Sequence, residues 1–166
     1  MPNAALASVS LVLADYHNPL HGAHLLQLLD EYARHPMGGG HALTLQAHEQ
    51  LLGKLAAIPN AFSVLAYCGN QPVGLANCFQ GFSTFKCQPL INIHDLVVTE
   101  SHRGQGVVKL LVNKIEAVAR ERDCCKITLE VLQGNRSAQQ AYRKLGFESY
   151  ELDPEIGIAM FWEKYL

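Results

Sequence analysis

This 166-residue chain has little charge: Asp, Glu, Lys and Arg together make up 17 % of it, and the formal net charge is −2. A chain so balanced has no overall attraction for nucleic acid or anionic membrane, so any basic site has to be local. Cysteines number five, an odd count, at positions 68, 78, 87, 124 and 125. None are spaced as C-x-x-C, which argues against a zinc site or a disulfide framework and for buried thiols in a reducing compartment. No apolar run approaches the roughly 20 residues of a membrane helix. Met1–Ser10 also lacks the basic start and long apolar core of a signal peptide. The expectation is a cytoplasmic protein with neither membrane nor nucleic acid as partner. Internal repeats, low-complexity tracts and domain linkers are lacking as well. What is present, 49 % hydrophobic residues, suits one globular domain over residues 1–166 that buries its core without staples.

The apolar periodicity changes along the chain. Ala7–Ala14 reads as a first strand. His21–Arg34 places Leu25, Leu28 and Leu29 at helical spacing and stops before Pro36. Thr44–Ala57 repeats that spacing through Leu45, Leu51, Leu52 and Leu55. Strands are then predicted at Phe62–Cys68 and Pro72–Phe79, on either side of the turn signal Gly69-Asn70-Gln71. A third strand is expected at Leu90–Val98. Val107–Arg122 returns to the helical period, and Lys126–Leu132 alternates as a half-buried strand. Ser137–Leu145 reads as a helix with Gly146 at its C′ position, and Ser137 with Gln140 fits a capping box. Phe147–Tyr150 and Ile156–Trp162 are candidate closing strands. Strands in a meander followed by strand–helix–strand indicate a mixed α/β (α+β) sheet with helices on its faces. Leu90–Val98 and Lys126–Leu132 would be its parallel pair.

One segment carries chemistry. His94–Val98 ends a strand, Thr99–Gly106 is a loop with Gly104 and Gly106, and a helix starts directly after it. The unpartnered N–H groups of such a loop and of the helix's first turn, together with the helix dipole, form a cradle for pyrophosphate. Glycine lets the backbone approach the oxygens, and Arg103 either adds a charge-assisted contact or braces the loop. It is not a P-loop, because no Gly-Lys-Ser/Thr follows. A dinucleotide fingerprint would need glycine where Lys109 stands.

From about Asn92 to Phe147 the chain resembles the GNAT superfamily of N-acetyltransferases. Arg103-Gly104-Gln105-Gly106-Val107-Val108 is similar to the family's Arg/Gln-x-x-Gly-x-Gly/Ala signature. It departs at Val108, where glycine or alanine is usual. Downstream, Asn135–Phe147 resembles the family's N-x-x-A-x-x-x-Y-x-x-x-G-F helix. The resemblance implies a mostly antiparallel sheet of six to seven strands, about four helices and a parallel pair splayed by a bulge in the strand that enters the loop. It also implies acetyl-CoA as acyl donor, bound by Arg103, Gly104, Gln105, Gly106, Val107 and Val108 at the pyrophosphate. The backbone of Leu96, Val97 and Val98 would hold the pantetheine, with Asn135 near the thiol end. Leu96 N–H would lie by the thioester carbonyl, where a donor gains strength as charge develops. Tyr142 would protonate the leaving thiolate.

The acceptor amine has to lose a proton, and His94 is the candidate base, with Glu130 ranked below it. Strand alternation sets Asp95 on the opposite face from His94. Positioning alone also drives aminolysis. Six of the eight histidines lie between His17 and His48, but Pro19 and Gly22 are expected to interrupt the helix that a metal site there would need. The loops Met37–Gly40 and Gly81–Lys86 are candidates for lining the acceptor pocket. Lys109, Lys114 and Arg143 are either solvated or contacts for a phosphate. Phe161-Trp162 is compatible with a homodimer contact or an edge strand. The function expected is acetyl transfer to a primary amine of a small molecule. A protein N-terminal or lysine acetyltransferase, a non-catalytic acyl-CoA-binding module and an unrelated α/β scaffold remain the alternatives.

Overall fold

A computed structural model describes residues 9–166 of the chain, which divides after Leu129 into two compact units. In the first, β1 (Val9–Leu13), α1 (Pro19–Arg34), α2 (Leu45–Ala57), β2 (Phe62–Cys68), β3 (Gln71–Ser83), β4 (Gln88–Val98), α3 (Val107–Glu121) and β5 (Ile127–Leu129) follow in order. The strands form one sheet in the order β1-β2-β3-β4-β5. The β1–β2, β2–β3 and β3–β4 pairs are antiparallel, and β4–β5 is parallel. The first two residues of the expected strand Ala7–Ala14 lie outside the described residues.

Alternation sorts the sheet's two faces. Leu65 and Tyr67 of β2, Leu75 of β3 and Val97 of β4 pack with Leu25 and Leu28 of α1 and Leu55 of α2. On the other face α3 buries Val107, Leu111, Val112, Ile115 and Val118. Gly74 of β3 lets α3 come close, since a Cβ there would stand 3.2 Å from Leu111 and Val107 and 3.3 Å from Ala66.

Helix α1 begins two residues before the expected His21. Asn18 caps it by accepting from the N–H groups of Leu20 and His21, and Pro19 takes the first position, where the missing N–H costs nothing. Pro19 and Gly22 therefore do not interrupt the helix. Gly22 is a packing contact: a Cβ there would come within 2.6 Å of Leu52 Cδ1 on α2. Helix α2 is capped by Thr44, which accepts from Ala47 N.

The second unit contains α4 (Arg136–Lys144). Asn135, and not the expected Ser137–Gln140 box, caps it, accepting from Ala138 N at 3.2 Å. Gly146 follows α4 at φ +86°. The expected closing strands do not form, so the sheet has five strands among the described residues and not six or seven. Phe147–Tyr150 and Ile156–Trp162 form no ladder: beside the bridge Glu151–Ile158, Ala159 N donates to Tyr150 O at 2.9 Å. The reason is local: Asp153 accepts from Glu155 N through its side chain and from Ile156 N and Gly157 N through its carbonyl. That turn competes with a ladder for the same backbone groups.

Candidate active site at the β4 bulge

The β3–β4 ladder sets Asn77 opposite Asp95 and Cys78 opposite Ile93, which leaves His94 as an extra residue on β4. Such a bulge resets alternation locally. The expectation that His94 and Asp95 face opposite sides therefore fails: both line one cavity of about 330 Å³.

The bulge also controls the backbone beyond it. Thr99 N donates to Val73 O at 2.9 Å. In an antiparallel ladder the bonded pairs fall on every second residue, so Val97 and Asp95 direct their polar groups at β3. Leu96 and Val98 direct theirs at the opposite edge. There β5 pairs with β4 only through Ile91, Ile93 and the residue between them. No described strand of the first unit covers the edge from His94 onward. Val98 O accepts from Arg103 Nε at 3.1 Å, so Arg103 braces the loop. The Leu96 N–H and C=O and the Val98 N–H remain directed outward.

The loop that follows is shaped by two glycines in the left-handed region, Gly104 at φ +72° and Gly106 at φ +87°. A Cβ on either would be strained. Gln105 Nε2 ties back to Ser101 O at 2.8 Å. Gly106 is the N-cap of α3, and no side chain caps the helix. Its first N–H groups, at the positive end of the helix dipole, are available to an anion. Val107 is buried at the start of α3, and Val108 is half-buried. The outward edge and the uncapped helix start fit acetyl-CoA by its pantetheine and pyrophosphate.

The cavity lies beside this edge, walled by Leu29, Leu43, Leu51, Leu55 and Phe79, with Tyr32, Asn77, His94 and Asp95 as its polar lining. Of the two loops expected to form it, the first contributes Gly38, and Gly81–Lys86 contributes nothing. Asp30 ties down the chain just before α2, accepting from Leu43 N at 2.8 Å, and also accepts from Arg34 Nε at 2.7 Å. These bonds, the Arg34 contact foremost, keep the Asp30 carboxyl below its usual range. The His94 ring packs edge-on against Phe79, with centroids 5.5 Å apart.

Behind Asp95 runs a chain of hydrogen bonds that is buried at its centre. Asn77 Nδ2 donates to Asp95 Oδ2 at 2.9 Å, Ser63 Oγ donates to Asn77 Oδ1 at 2.6 Å, and Tyr16 lies 2.9 Å from Ser63 Oγ. A carboxylate can only accept and a serine has one proton, so Tyr16 is the donor at the far end. Every proton points towards Asp95. Burial raises the pKa of Tyr16. Burial, with the Asp95 charge adding to it, also raises Tyr32, so both phenols stay protonated. Ser63, Asn77 and Tyr16 were not singled out in the sequence. The signal was there in the first two, as polar residues set inside the apolar runs FSVLAYC and PVGLANCF.

His94, Leu96, Val97, Val98 and Arg103–Val108 are thus brought to one end of the first unit's sheet. Asn135 and Tyr142 belong to the second unit, at the start and in the body of α4. There the Tyr142 ring meets Phe147 edge-on at 5.9 Å.

Comparison with known proteins agrees with this geometry. The model of the Acetyltransferase (GNAT) family matches residues 46–147. Thialysine N-epsilon-acetyltransferase of Bos taurus is 32 % identical over 74 residues, 45 % of this chain and 43 % of that protein. Streptothricin acetyltransferase of Streptomyces lavendulae is 38 % identical over 66 residues, 40 % of this chain and 35 % of that protein. The matched stretches therefore span well under half of these relatives' length. An aminoglycoside acetyltransferase from an uncultured soil metagenomic sample, solved in complex with trehalose, superposes with a TM-score of 0.77. It is 17 % identical, over 96 % of this chain and 98 % of that one, and so shares the fold.

Proposed function

The chain belongs to the acetyltransferase (GNAT) family, and from that premise we propose that it transfers the acetyl group of acetyl-CoA to a primary amine of a small molecule. The observation that carries this reading is the meeting of two features at one bulge. A backbone edge that no described strand pairs, at Leu96 and Val98, adjoins a cavity that holds His94 and Asp95.

Acetyl-CoA supplies an activated carbonyl carbon and a thiolate leaving group. In the proposed reaction the amine nitrogen bonds that carbon, the C–S bond breaks with its electron pair on sulfur, and the proton nitrogen loses balances the one sulfur gains. Leu96 N–H is the donor for the oxygen that gains negative charge, a contact stronger at the top of the barrier than before it. The loop Arg103–Val108 and the start of α3 hold the pyrophosphate, with Val98 N–H and Leu96 C=O for the pantetheine amides. His94 takes the amine proton from its place on the bulge. The N-x-x-A-x-x-x-Y pattern supports giving Tyr142 the role of acid to the thiolate, and Asn135 a place near it.

The test is release of free CoA from acetyl-CoA by the purified protein across a panel of primary amines, alongside calorimetric binding of acetyl-CoA. Amine-dependent release is expected, and Tyr142→Phe should lower turnover by roughly tenfold or more with acetyl-CoA affinity kept. Binding without turnover would identify a non-catalytic acyl-CoA module. Absence of binding would overturn the reading.

A further inference from the structure

The cavity beside the bulge has a chemistry that narrows the acceptor, an inference that rests on the acetyl-transfer reading above. Its walls are leucines from both helices and from the loop between them, with Phe79 opposite. No lysine or arginine lines it. Its volume of about 330 Å³ sits at the small end of the roughly 300–1,000 Å³ span of small-molecule sites.

Its polar groups are four: Tyr32, Asn77, His94 and Asp95. Asn77 gives its amide nitrogen to Asp95 and its amide oxygen to Ser63. Tyr32 stays protonated through burial and the Asp95 charge. Asp95 differs: Oδ2 is held by Asn77, while Oδ1 receives no hydrogen bond from the described residues. The chain of donors behind it fixes the carboxylate from one side and leaves the other towards the cavity.

A ligand that satisfies this lining brings one cationic group for Asp95 and an apolar body for the leucines and Phe79. A free amino acid also brings a carboxylate, which would face Asp95 with no cation to receive it. A polyhydroxylated, multi-ring polyamine brings many polar groups against leucine and needs more space. We propose that the acceptor is a compact primary monoamine with an apolar body and no carboxylate, its ammonium anchored by Asp95 at the β4 bulge. His94, the neighbouring residue on the bulge, is placed to receive the proton before attack.

The experiment measures kcat/KM for CoA release by the full chain with phenethylamine, octylamine, lysine, spermidine and kanamycin. The first two are expected to exceed the other three by roughly tenfold or more, because the leucines and Phe79 offer nothing to an added hydroxyl, carboxylate or second ammonium. Turnover of lysine, spermidine or kanamycin equal to or better than that of phenethylamine would overturn the proposal while leaving acetyl transfer standing. Absence of turnover with all five and with a wider amine panel would overturn acetyl transfer itself, and the proposal with it.

The anchor has its own readout. Asp95→Asn should raise KM for phenethylamine by roughly 10–100-fold, the loss of a charge-assisted bond, with the calorimetric Kd for acetyl-CoA unchanged. An unchanged KM would overturn Asp95 as the anchor. A measurement on the unaltered protein makes the same point without a variant: phenethyl alcohol, with the same body and no charge, should compete at least roughly tenfold more weakly than the amine binds. Equal affinity would remove the ion pair from the site.

Discussion

Asn77 Nδ2 donates to Asp95 Oδ2 at 2.9 Å, directly across the ladder and one residue away from the bulged His94. Asn77 is 3 % exposed and Ser63, behind it, 0 %. Neither can turn to water if its partner is lost, so the pair couples stability to the geometry of the cavity. Asn77→Ala is expected to leave the Ser63 hydroxyl without its acceptor and Asp95 without its donor. The cost should be about 1–3 kcal/mol, read from the urea midpoint at constant slope. In the same variant KM for the amine should rise while the Kd for acetyl-CoA stays level. A variant as stable as the parent would show that the chain of bonds is dispensable.

The two glycines of the α3 loop and the one in α2 should respond to alanine with opposite signs. Gly106 stands at φ +87°, and an alanine there should cost about 1–2 kcal/mol and weaken acetyl-CoA binding measured by calorimetry. Gly53 lies within α2 with open space where its Cβ would be. Alanine at that position should stabilise the fold by about 0.5–1 kcal/mol. Equal effects at the two sites would contradict the left-handed loop.

Cys78, next to Asn77 on β3, provides a pH-dependent test of the sheet's interior. Burial pushes its thiol from the ordinary 9.0 up to about 12, with the Asp95 charge adding to the rise and Arg122 opposing it. The folded chain keeps this proton where the unfolded chain gives it up. The resulting stability is fully present below the ordinary value of 9.0 and is lost as pH rises towards about 12. A thiol reagent at about pH 8 should therefore label Cys87, which is exposed, and leave Cys78 unmodified until denaturant is added. Mass spectrometry of the labelled peptides decides it, and rapid native labelling of Cys78 would contradict its burial.

The parts of the site that could be read from the chain are those written in local patterns. Strand β2 was expected at its observed bounds, α3 at nearly its observed bounds, and the Arg103–Val108 loop was marked by its glycines. The bulge was invisible to period-two reasoning, because one inserted residue leaves the composition of HDLVV unchanged while reversing which side its members face. The chain Tyr16–Ser63–Asn77–Asp95 joins four separate stretches of sequence through pairs 47, 14 and 18 residues apart. No short window contains it. The two closing strands were over-read for the converse reason: apolar residues around Asp153 suggested a ladder, and the turn at Asp153 took the N–H groups of Ile156 and Gly157 for its carbonyl.

The uncovered edge of β4 has a bearing on how this protein tolerates change. A donor supplied by the main chain at position 96 survives replacement of Leu96 by almost any other residue, so an alanine scan would score that position as neutral. Proline alone among the common residues deletes the N–H, and an ester in place of the amide does so with less disturbance. The group given the central part in the reaction is thus shielded from ordinary sequence drift. Substitutions would register instead at its supports, Arg103, Asn77 and the glycines, which do none of the chemistry themselves.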